Sequence, residues 1–520
     1  MAGGLKKLSG YLLAGASVIG LSVAAPEAKA QQAQDLQQIQ AQIEDMQATI
    51  KALQQQVQDA KAQAAAANAA AANSGGDLDL KVKWKGAPEL SSSDGKFSFK
   101  VRGRLQTDYN AIDQDENLRT DPISGFPDVS AAELRRARLG VEGVVFYNVG
   151  YKFEIDFAND ETAIKDAYVE YLGLYDGLAL RAGNFKTPNS LDEMTSSRFL
   201  TFLERAAFVE AFGLDRQIGA GAIYGSDHWT LSAGIFGPEP FDDEVWRDDV
   251  KTGAARVTWA PINREVNSVH QVLHLGASWR QREGAEDLRS GRDPDPFFDE
   301  FFRYRARGAD LHLADRFVST PLIFDEDTFW GVEGAAIWGP WHVVGEYTEL
   351  EPDVASFICA GSDDCPAGLR VFNGSDPTYV GWYIEAGWFL TGESRGYKEG
   401  EFVGIKVKNP VLGGGKGGGW GAWQIAGRYD VIELSDKATT FGVPDPGDPA
   451  DLLFACSQCG DQKTWMFVLN WWLNDYTGLQ FQYGESDIEG GRLLLSNGDT
   501  ANRDNGRNVK GFGTRMRYYW

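Results

Sequence analysis

The chain has little positive charge and no long apolar run beyond its N-terminal region. Its 50 Lys and Arg stand against 74 Asp and Glu, a formal net charge of −24, so a nucleic-acid partner is excluded. Mean hydropathy is −0.33, and without an apolar stretch of about 18 residues a helical membrane protein is excluded as well. A membrane β-barrel is not excluded, because the alternating residues of its strands average out.

Cysteine and histidine are also scarce. The four cysteines form two close pairs in stretches rich in Gly, Asp, Ser and Pro: Cys359 with Cys365, and Cys456 with Cys459. In an exported protein this spacing predicts two local disulfides. A zinc site using all four cysteines is the alternative, although only the second pair has C-x2-C spacing. Five histidines without a neighbouring nucleophile give no sign of an enzyme, and we expect no metal, no cofactor and no catalytic activity.

Glycine and aromatic residues, in contrast, are plentiful, with 60 Gly and 16 Trp, which favours β-structure. The N-terminus shows the three parts of a secretory signal: Lys6 and Lys7, an apolar run over 8–25, and an A-x-A site at Ala28–Ala30. We therefore predict a signal peptide over residues 1–30. A single anchoring helix is the alternative.

A heptad pattern follows the predicted cleavage site. Apolar residues alternate at spacings of three and four, which predicts a periplasmic α-helical coiled coil over residues 31–72; they are Leu36, Ile39, Ile43, Met46, Ile50, Leu53 and Val57. The β-branched seam allows a trimer. Asn73–Gly76 reads as a flexible joint, so residues 73–95 are predicted to be a linker.

From residue 96 the apolar period changes to two, as expected for strands with one dry and one wet face. The pattern predicts an all-β domain over 96–520 with sixteen antiparallel strands, near 97–109, 135–147, 149–159, 163–174, 178–186, 216–225, 229–237, 251–260, 270–281, 328–338, 341–350, 379–390, 420–433, 463–475, 477–485 and 510–520. Long and short connections mostly alternate, with exceptions after the third and twelfth strands. That asymmetry is typical of a transmembrane barrel.

The last strand supports the barrel interpretation. Phe512, Met516, Tyr518 and Trp520 share one face, and Arg515 and Arg517 share the other. Tryptophans near strand ends predict interfacial girdles; they are Trp338, Trp341, Trp465, Trp471 and Trp472.

Five segments together resemble the family of phosphate-selective porins O and P over roughly residues 90–520: Glu133–Gly140, Asp166–Tyr171, Leu180–Pro188, Phe202–Arg205 and Gly427–Tyr429. The resemblance implies a homotrimeric channel in the outer membrane of a Gram-negative bacterium, in contact with lipid and lipopolysaccharide. It also implies passage of phosphate or related small anions past an inward-folded third loop.

Selection of anions requires donors and positive charge on the inner wall. By strand alternation Arg102, Arg104, Arg136 and Arg138 point inward, while Lys186, Arg198 and Arg205 border or lie in the loop 187–215. We predict these seven as pore-lining anion-binding residues. The apolar residues Phe199, Leu200, Phe202 and Leu203 of that loop predict a short helix against the wall.

Alternatives remain for each assignment. Lumenal arginines could merely pair with lumenal carboxylates, namely Asp108, Glu142, Glu154, Asp156 and Glu170. Arg303, Arg305 and Arg307 could form a basic patch at the mouth or a solvated loop segment. At the level of function, a general or sugar-type porin is the main alternative to an anion channel, and a structural tether of the outer membrane is a remote one.

Overall fold

The computed structural model describes residues 80–84, 86–115, 127–158, 162–237, 251–266, 269–284, 302–320, 324–354, 376–413, 418–436, 440–442, 453–455, 459–490 and 507–520, with seven residues between 48 and 62. The chain divides into two compact units, Met1–Asp79 and Leu80–Trp520.

In the first unit, the seven described residues are helical and those of the heptad seam lie outside the described part. Gln55 Nε2 donates a hydrogen bond of 3.0 Å to Asp59 Oδ1 one turn later. No helix among the described residues is both long enough and apolar enough to cross a membrane. The coiled coil and the signal peptide therefore stay predictions.

The second unit is built on sixteen long strands. They are β1 (Ser98–Gln114), β2 (Val129–Val145), β3 (Val149–Asp156), β4 (Ala163–Tyr171), β5 (Leu178–Lys186), β6 (Arg216–Gly225), β7 (Trp229–Phe236), β8 (Lys251–Val266), β9 (Val269–Glu283), β10 (Phe324–Trp338), β11 (Trp341–Val354), β12 (Tyr379–Phe389), β13 (Ala422–Glu433), β14 (Asp461–Trp472), β15 (Thr477–Glu489) and β16 (Arg507–Tyr519).

Each of these strands pairs antiparallel with its sequence neighbours, and β16 returns to pair with β1, for example Thr514 with Tyr109. The sheet is thus a closed barrel, in which no long strand has a free edge. The prediction of a sixteen-stranded antiparallel barrel is confirmed.

The two faces of the wall follow the predicted alternation. On β1, Leu105 and Tyr109 are exposed on the outside while Arg104 and Asp108 are buried within. Apolar side chains meet lipid and polar ones meet the lumen, which is the arrangement that a barrel in a membrane requires.

The two rims differ in the length of their connections. On one rim, the connections between strands are two to six residues long, except that between β12 and β13. On the other rim the connections are long, except that between β3 and β4. We assign this rim to the outer surface because short turns of outer-membrane barrels face the periplasm.

Stacked pairs of tryptophans lie on the outside of the wall near the short-turn rim. Trp341 stacks on Trp388 at 4.7 Å and Trp423 stacks on Trp471 at 4.8 Å between ring centroids, as expected of an interfacial girdle. Trp472 departs from the prediction, because it is buried inside against Phe389.

The predicted linker contains a β-hairpin. Strand Leu80–Trp84 pairs with Pro88–Ser92, which in turn pairs with the start of β1 through Glu89, Leu90 and Ser91. Alternation of apolar and basic residues over Leu80–Trp84 suits a strand, so this part of the linker extends the sheet.

Three connections carry structure into the barrel. Loop L3 (residues 187–215) contains α1 (Leu191–Met194) and α2 (Ala207–Phe212). Loop L5, described over 302–320, contains the strand pair Arg305–Ala306 and Val318–Ser319 with a 3-10 turn at Gly308–Asp310. The connection 390–421 contains the inner hairpin, Gly396–Lys398 with Glu401–Val403. A further pair, Thr440–Gly442 with Leu453–Ala455, lies in the connection after β13.

Candidate ion pathway

Loop L3 crosses the lumen and is attached to the wall opposite its own strand. Glu346 of β11 accepts hydrogen bonds from the backbone N–H groups of Leu191 (2.9 Å) and Asp192 (2.8 Å). The N–H of Ala207 donates to Asp430 of β13 at 2.7 Å. Because backbone donors are held by wall carboxylates, L3 is a built constriction, as the family resemblance implied.

The prediction of a helix at Phe199–Leu203 is wrong. This segment is a series of bends, and wall side chains bind its carbonyls: Arg517 donates to Leu200 at 3.2 Å, and Asn470 donates to Thr201 at 2.9 Å. Donors from the wall replace the hydrogen bonds that a helix would supply. The two helices of L3, α1 and α2, lie on either side of this segment.

Loop L5 and the inner hairpin enter the barrel from opposite rims. The Arg307 side chain of L5 binds Glu210 of α2. On the inner hairpin, the Tyr397 hydroxyl lies 2.7 Å from Nδ1 of His274, and Arg256 donates to the Gly400 carbonyl at 2.8 Å. Both elements are therefore fastened to L3 or to the wall.

Between these elements lies a cavity of about 880 Å³. Among the described residues, fourteen lysines and arginines line it against ten aspartates and glutamates, although the whole chain carries a net charge of −24. The basic residues are Arg104, Arg135, Arg136, Arg138, Lys152, Lys165, Arg181, Lys186, Arg198, Arg205, Arg216, Arg256, Arg307 and Lys398. The lining of this cavity thus has the opposite sign of charge to the whole chain.

Six of the seven predicted anion-binding residues line this cavity. Arg102 does not. It lies closer to the short-turn rim, where it forms an ion pair of 2.9 Å with Glu142 and lies 3.7 Å from Glu89 of the linker hairpin.

Most of the predicted arginines are paired with carboxylates, as the alternative interpretation held. Arg104 lies 3.2 Å from Glu154, and Arg138 lies 2.6 Å from Asp156. Pairing holds these guanidinium groups in place and removes much of their net charge.

Glu204 of L3 gathers three guanidinium groups. Arg135 and Arg515 reach it at 2.8 and 2.6 Å, and Arg136 at 3.2 Å. Burial alone would raise the pKa of Glu204, but the three charges hold it well below its usual range. Its carboxylate is therefore ionised and fastens L3 to β2 and β16.

Two of the predicted cations lack such a partner. Within the described chain no carboxylate lies in ion-pair distance of Lys186 or Arg198. Lys186 donates instead to the carbonyls of Glu193, Met194 (3.2 Å) and Thr195 (3.4 Å). Arg198 Nε donates to Ser196 at 3.3 Å. Arg205, in contrast, lies 3.4 Å from Glu193.

Two further cations of the cavity were missed because β-bulges turn them inward. Gln106 pairs with Arg136 and Thr107 pairs with Leu134, which leaves Arg135 as an extra residue. Lys165 is likewise the extra residue of β4, beside Asp166. In each case the sequence shows two adjacent charged residues on one strand. Regular alternation would place one of them in lipid, at a cost of about 2–4 kcal/mol for Arg or Lys at the midplane, so such a pair indicates a β-bulge.

The predictions for the cysteines and for the basic residues of L5 differ in outcome. Cys459 is disulfide-bonded, but Cys359, Cys365 and Cys456 lie outside the described residues, so both pairings stay predictions. In L5, Arg303 is exposed, whereas Arg307 lines the cavity.

Fold and pathway define the class of protein. A closed sixteen-stranded barrel with an apolar exterior and a charged, constricted lumen is an outer-membrane porin. The family model described as phosphate-selective porin O and P matches residues 99–520, and the chain belongs to this family. Its location is the outer membrane of a Gram-negative bacterium.

Two individual relatives match most of this chain. An uncharacterized protein of Caulobacter vibrioides is 30% identical over 438 residues, which cover 83% of this chain and 76% of that protein. Porin O of Pseudomonas aeruginosa is 29% identical over 473 residues, covering 85% and 92%.

Solved structures with a similar barrel include the anion-selective porin from Comamonas acidovorans, at a TM-score of 0.43 and 11% identity, covering 82% of this chain and 100% of that one. The outer membrane channel DcaP of Acinetobacter baumannii has a TM-score of 0.42 and 14% identity, covering 83% and 99%.

Proposed function

We propose that this porin conducts small anions in preference to cations, with phosphate or related oxyanions as its solutes. The observation that carries the proposal is the excess of basic residues around the 880 Å³ cavity of an otherwise acidic chain. Membership of the phosphate-selective porin family supports the choice of oxyanion.

Arg198 is the residue on which we expect a passing anion to depend most, because the N–H groups of Lys186 already donate to the carbonyls of Glu193, Met194 and Thr195. Among the described residues no carboxylate lies in ion-pair distance of either side chain, and both line the cavity. The planar guanidinium of Arg198 can donate to two oxygens of one phosphate and stays charged at physiological pH.

Conduction also requires that an anion leave again. Lys186 and Arg198 share the lining with carboxylates, among them Glu193 and Glu401. These negative charges weaken the binding of an anion without reversing the sign of the lumen, which suits a passive channel.

Reversal-potential measurements in a KCl gradient across a planar bilayer test the proposal, with graded phosphate added to compete with chloride. We expect an anion-selective reversal potential and a concentration-dependent fall in chloride current. A cation-selective or non-selective channel without block by phosphate would instead make this a general diffusion porin.

For its assembly we propose a homotrimer seated in lipid and lipopolysaccharide, with the predicted coiled coil in the periplasm. The heptad seam and the family resemblance support this arrangement. Cross-linking of the detergent-solubilised porin, followed by mass determination, is expected to give three chains; a single chain at all concentrations would contradict it.

A further inference from the structure

One side of the cavity wall is apolar. Four side chains from three neighbouring strands line the cavity there and form an apolar patch: Tyr168 of β4, Ala179 and Phe185 of β5, and Ile223 of β6. The patch is contiguous, because the ring centroids of Tyr168 and Phe185 are 6.1 Å apart and Ala179 pairs directly with Ile223. By contrast, the inward positions of β1 and β16 carry arginine and aspartate.

The apolar patch lies close to the wall because glycines stand behind its rings. A Cβ atom at Gly183 would lie 3.0 Å from the Cβ of Tyr168, and one at Gly221 would lie 3.5 Å from the ring of Phe185. Tyr168 and Ile223 are half-buried, whereas Phe185 is buried. The first two side chains therefore give the patch its accessible surface.

A planar cation lies over the patch. Cζ of Arg181 is 4.1 Å from the ring centroid of Tyr168, and its Nε and Nη2 donate to Glu170 Oε2 at 3.0 and 2.8 Å. Glu170 offsets the charge of Arg181 and fixes the plane of the guanidinium group. Because Arg181 is half-buried and lines the cavity, it adds to the patch a flat surface on which an aromatic ring can stack.

An inorganic oxyanion makes no use of such a surface. Phosphate is held by hydrogen-bond donors and positive charge, whereas apolar surface in contact with water gains free energy only when an apolar group covers it. The inner face of a porin barrel is ordinarily polar. An apolar patch in the same cavity as Arg198 therefore suits a solute with one anionic and one apolar end.

We propose that the preferred solutes of this channel are organic phosphates that carry a small aromatic or branched apolar group. This inference rests on the proposed anion preference and names the class of anion. The phosphate group contacts the cations of the constriction, Arg198 foremost, while the apolar group lies against Tyr168, Ile223 and the guanidinium of Arg181. Since β5 runs from the short-turn rim to the start of L3, the apolar group lies on the periplasmic side of L3.

Block of chloride current by phosphate monoesters tests the proposal, with the full-length porin in planar bilayers in KCl. Methyl phosphate, glycerol phosphate and phenyl phosphate carry the same charged group, and glycerol phosphate controls for size because its bulky substituent is polar. We expect phenyl phosphate to halve the chloride current at a concentration about two- to fivefold lower than either of the other esters, as for a stacking contact with a partly exposed cation.

Variants of the patch locate the effect. Y168A removes the ring beneath Arg181, and we expect the preference for phenyl phosphate to disappear. Y171A is the matched control and is expected to keep the preference, because Tyr171 lies on the same strand but is exposed on the lipid side. I223S keeps the test decisive if Y168A does not assemble, which heat-modifiability on gels reports. It replaces an aliphatic group of the patch by a hydroxyl and is expected to weaken the preference.

The possible failures are distinguishable. Equal block of the wild type by phenyl phosphate and glycerol phosphate would overturn this inference and leave the anion preference standing. An undiminished preference in assembled Y168A or I223S, or its loss in Y171A as well, would also overturn the role of the patch. A cation-selective channel that none of the esters and no inorganic phosphate blocks would overturn the proposed function, and this inference with it.

Discussion

The substitution R198Q isolates the effect of one lumenal charge. Arg198 has no carboxylate in ion-pair distance within the described chain; its guanidinium donates to Ser196 and lies 5.2 Å from the ring centroid of Phe199. Removing it therefore leaves no buried carboxylate without a partner, and we expect the barrel to assemble normally. The anion pathway alone should change.

The size of the effect follows from Coulomb's law. A positive charge about 4 Å from an anion is worth about 1 kcal/mol in water and about 4 kcal/mol at an effective dielectric constant of about 20. The lower value corresponds to about a fivefold loss in anion affinity. Because Arg198 is half-buried, fivefold is the smaller of the two limits.

Bilayer recordings measure both consequences. In a KCl gradient the reversal potential of R198Q is expected to shift toward cation selectivity, and block of chloride current by phosphate is expected to need at least about five times more phosphate. R264Q is the matched control, because Arg264 is exposed and bonds Gln271 outside the cavity. A reversal potential and a phosphate block in R198Q equal to those of R264Q would refute the role of Arg198.

Three further predictions follow from other parts of the molecule. K165C is expected to react with a negatively charged, water-soluble thiol reagent and to lose anion current, because the bulge turns residue 165 into the lumen; an inert thiol would place it in lipid. Deleting residues 31–75 is expected to leave the conductance of each pore unchanged and to lower the temperature at which the oligomer dissociates; loss of conductance in an assembled barrel would contradict this. Mass spectrometry of the unreduced protein is expected to find two local disulfides, whereas free thiols or bound zinc would overturn both pairings: Cys359 with Cys365, and Cys456 with Cys459.

The barrel itself could be predicted from the sequence because period-two alternation is a local property. Arg515 and Arg517 are buried inside while Met516 and Tyr518 are exposed outside, as the pattern indicates. Because each strand has one face toward lipid, the alternation recurs in every strand, and the number of such strands predicts the barrel.

The constriction could be predicted only in part. Bulges shift the alternation by one residue, and so Arg135 and Lys165 were missed. The bends of loop L3 could not be predicted from local propensity. The side chains that donate hydrogen bonds to the carbonyls of Leu200 and Leu203 lie on β16, more than three hundred residues away in the chain. Segments whose hydrogen bonds are supplied by distant strands carry little local signal.

Positive charges in the lumen fall into two groups, those paired with carboxylates and those without such a partner. Arg135, Arg136 and Arg515 are bound to Glu204 and hold L3 in place; loss of any one of them disturbs a buried network and is expected to act first on assembly. Within the described chain Arg198 has no carboxylate in ion-pair distance, and it is expected to act first on selectivity. We therefore expect the many paired charges of such a lumen to hold the constriction in place, and an uncompensated cation to influence which ions pass.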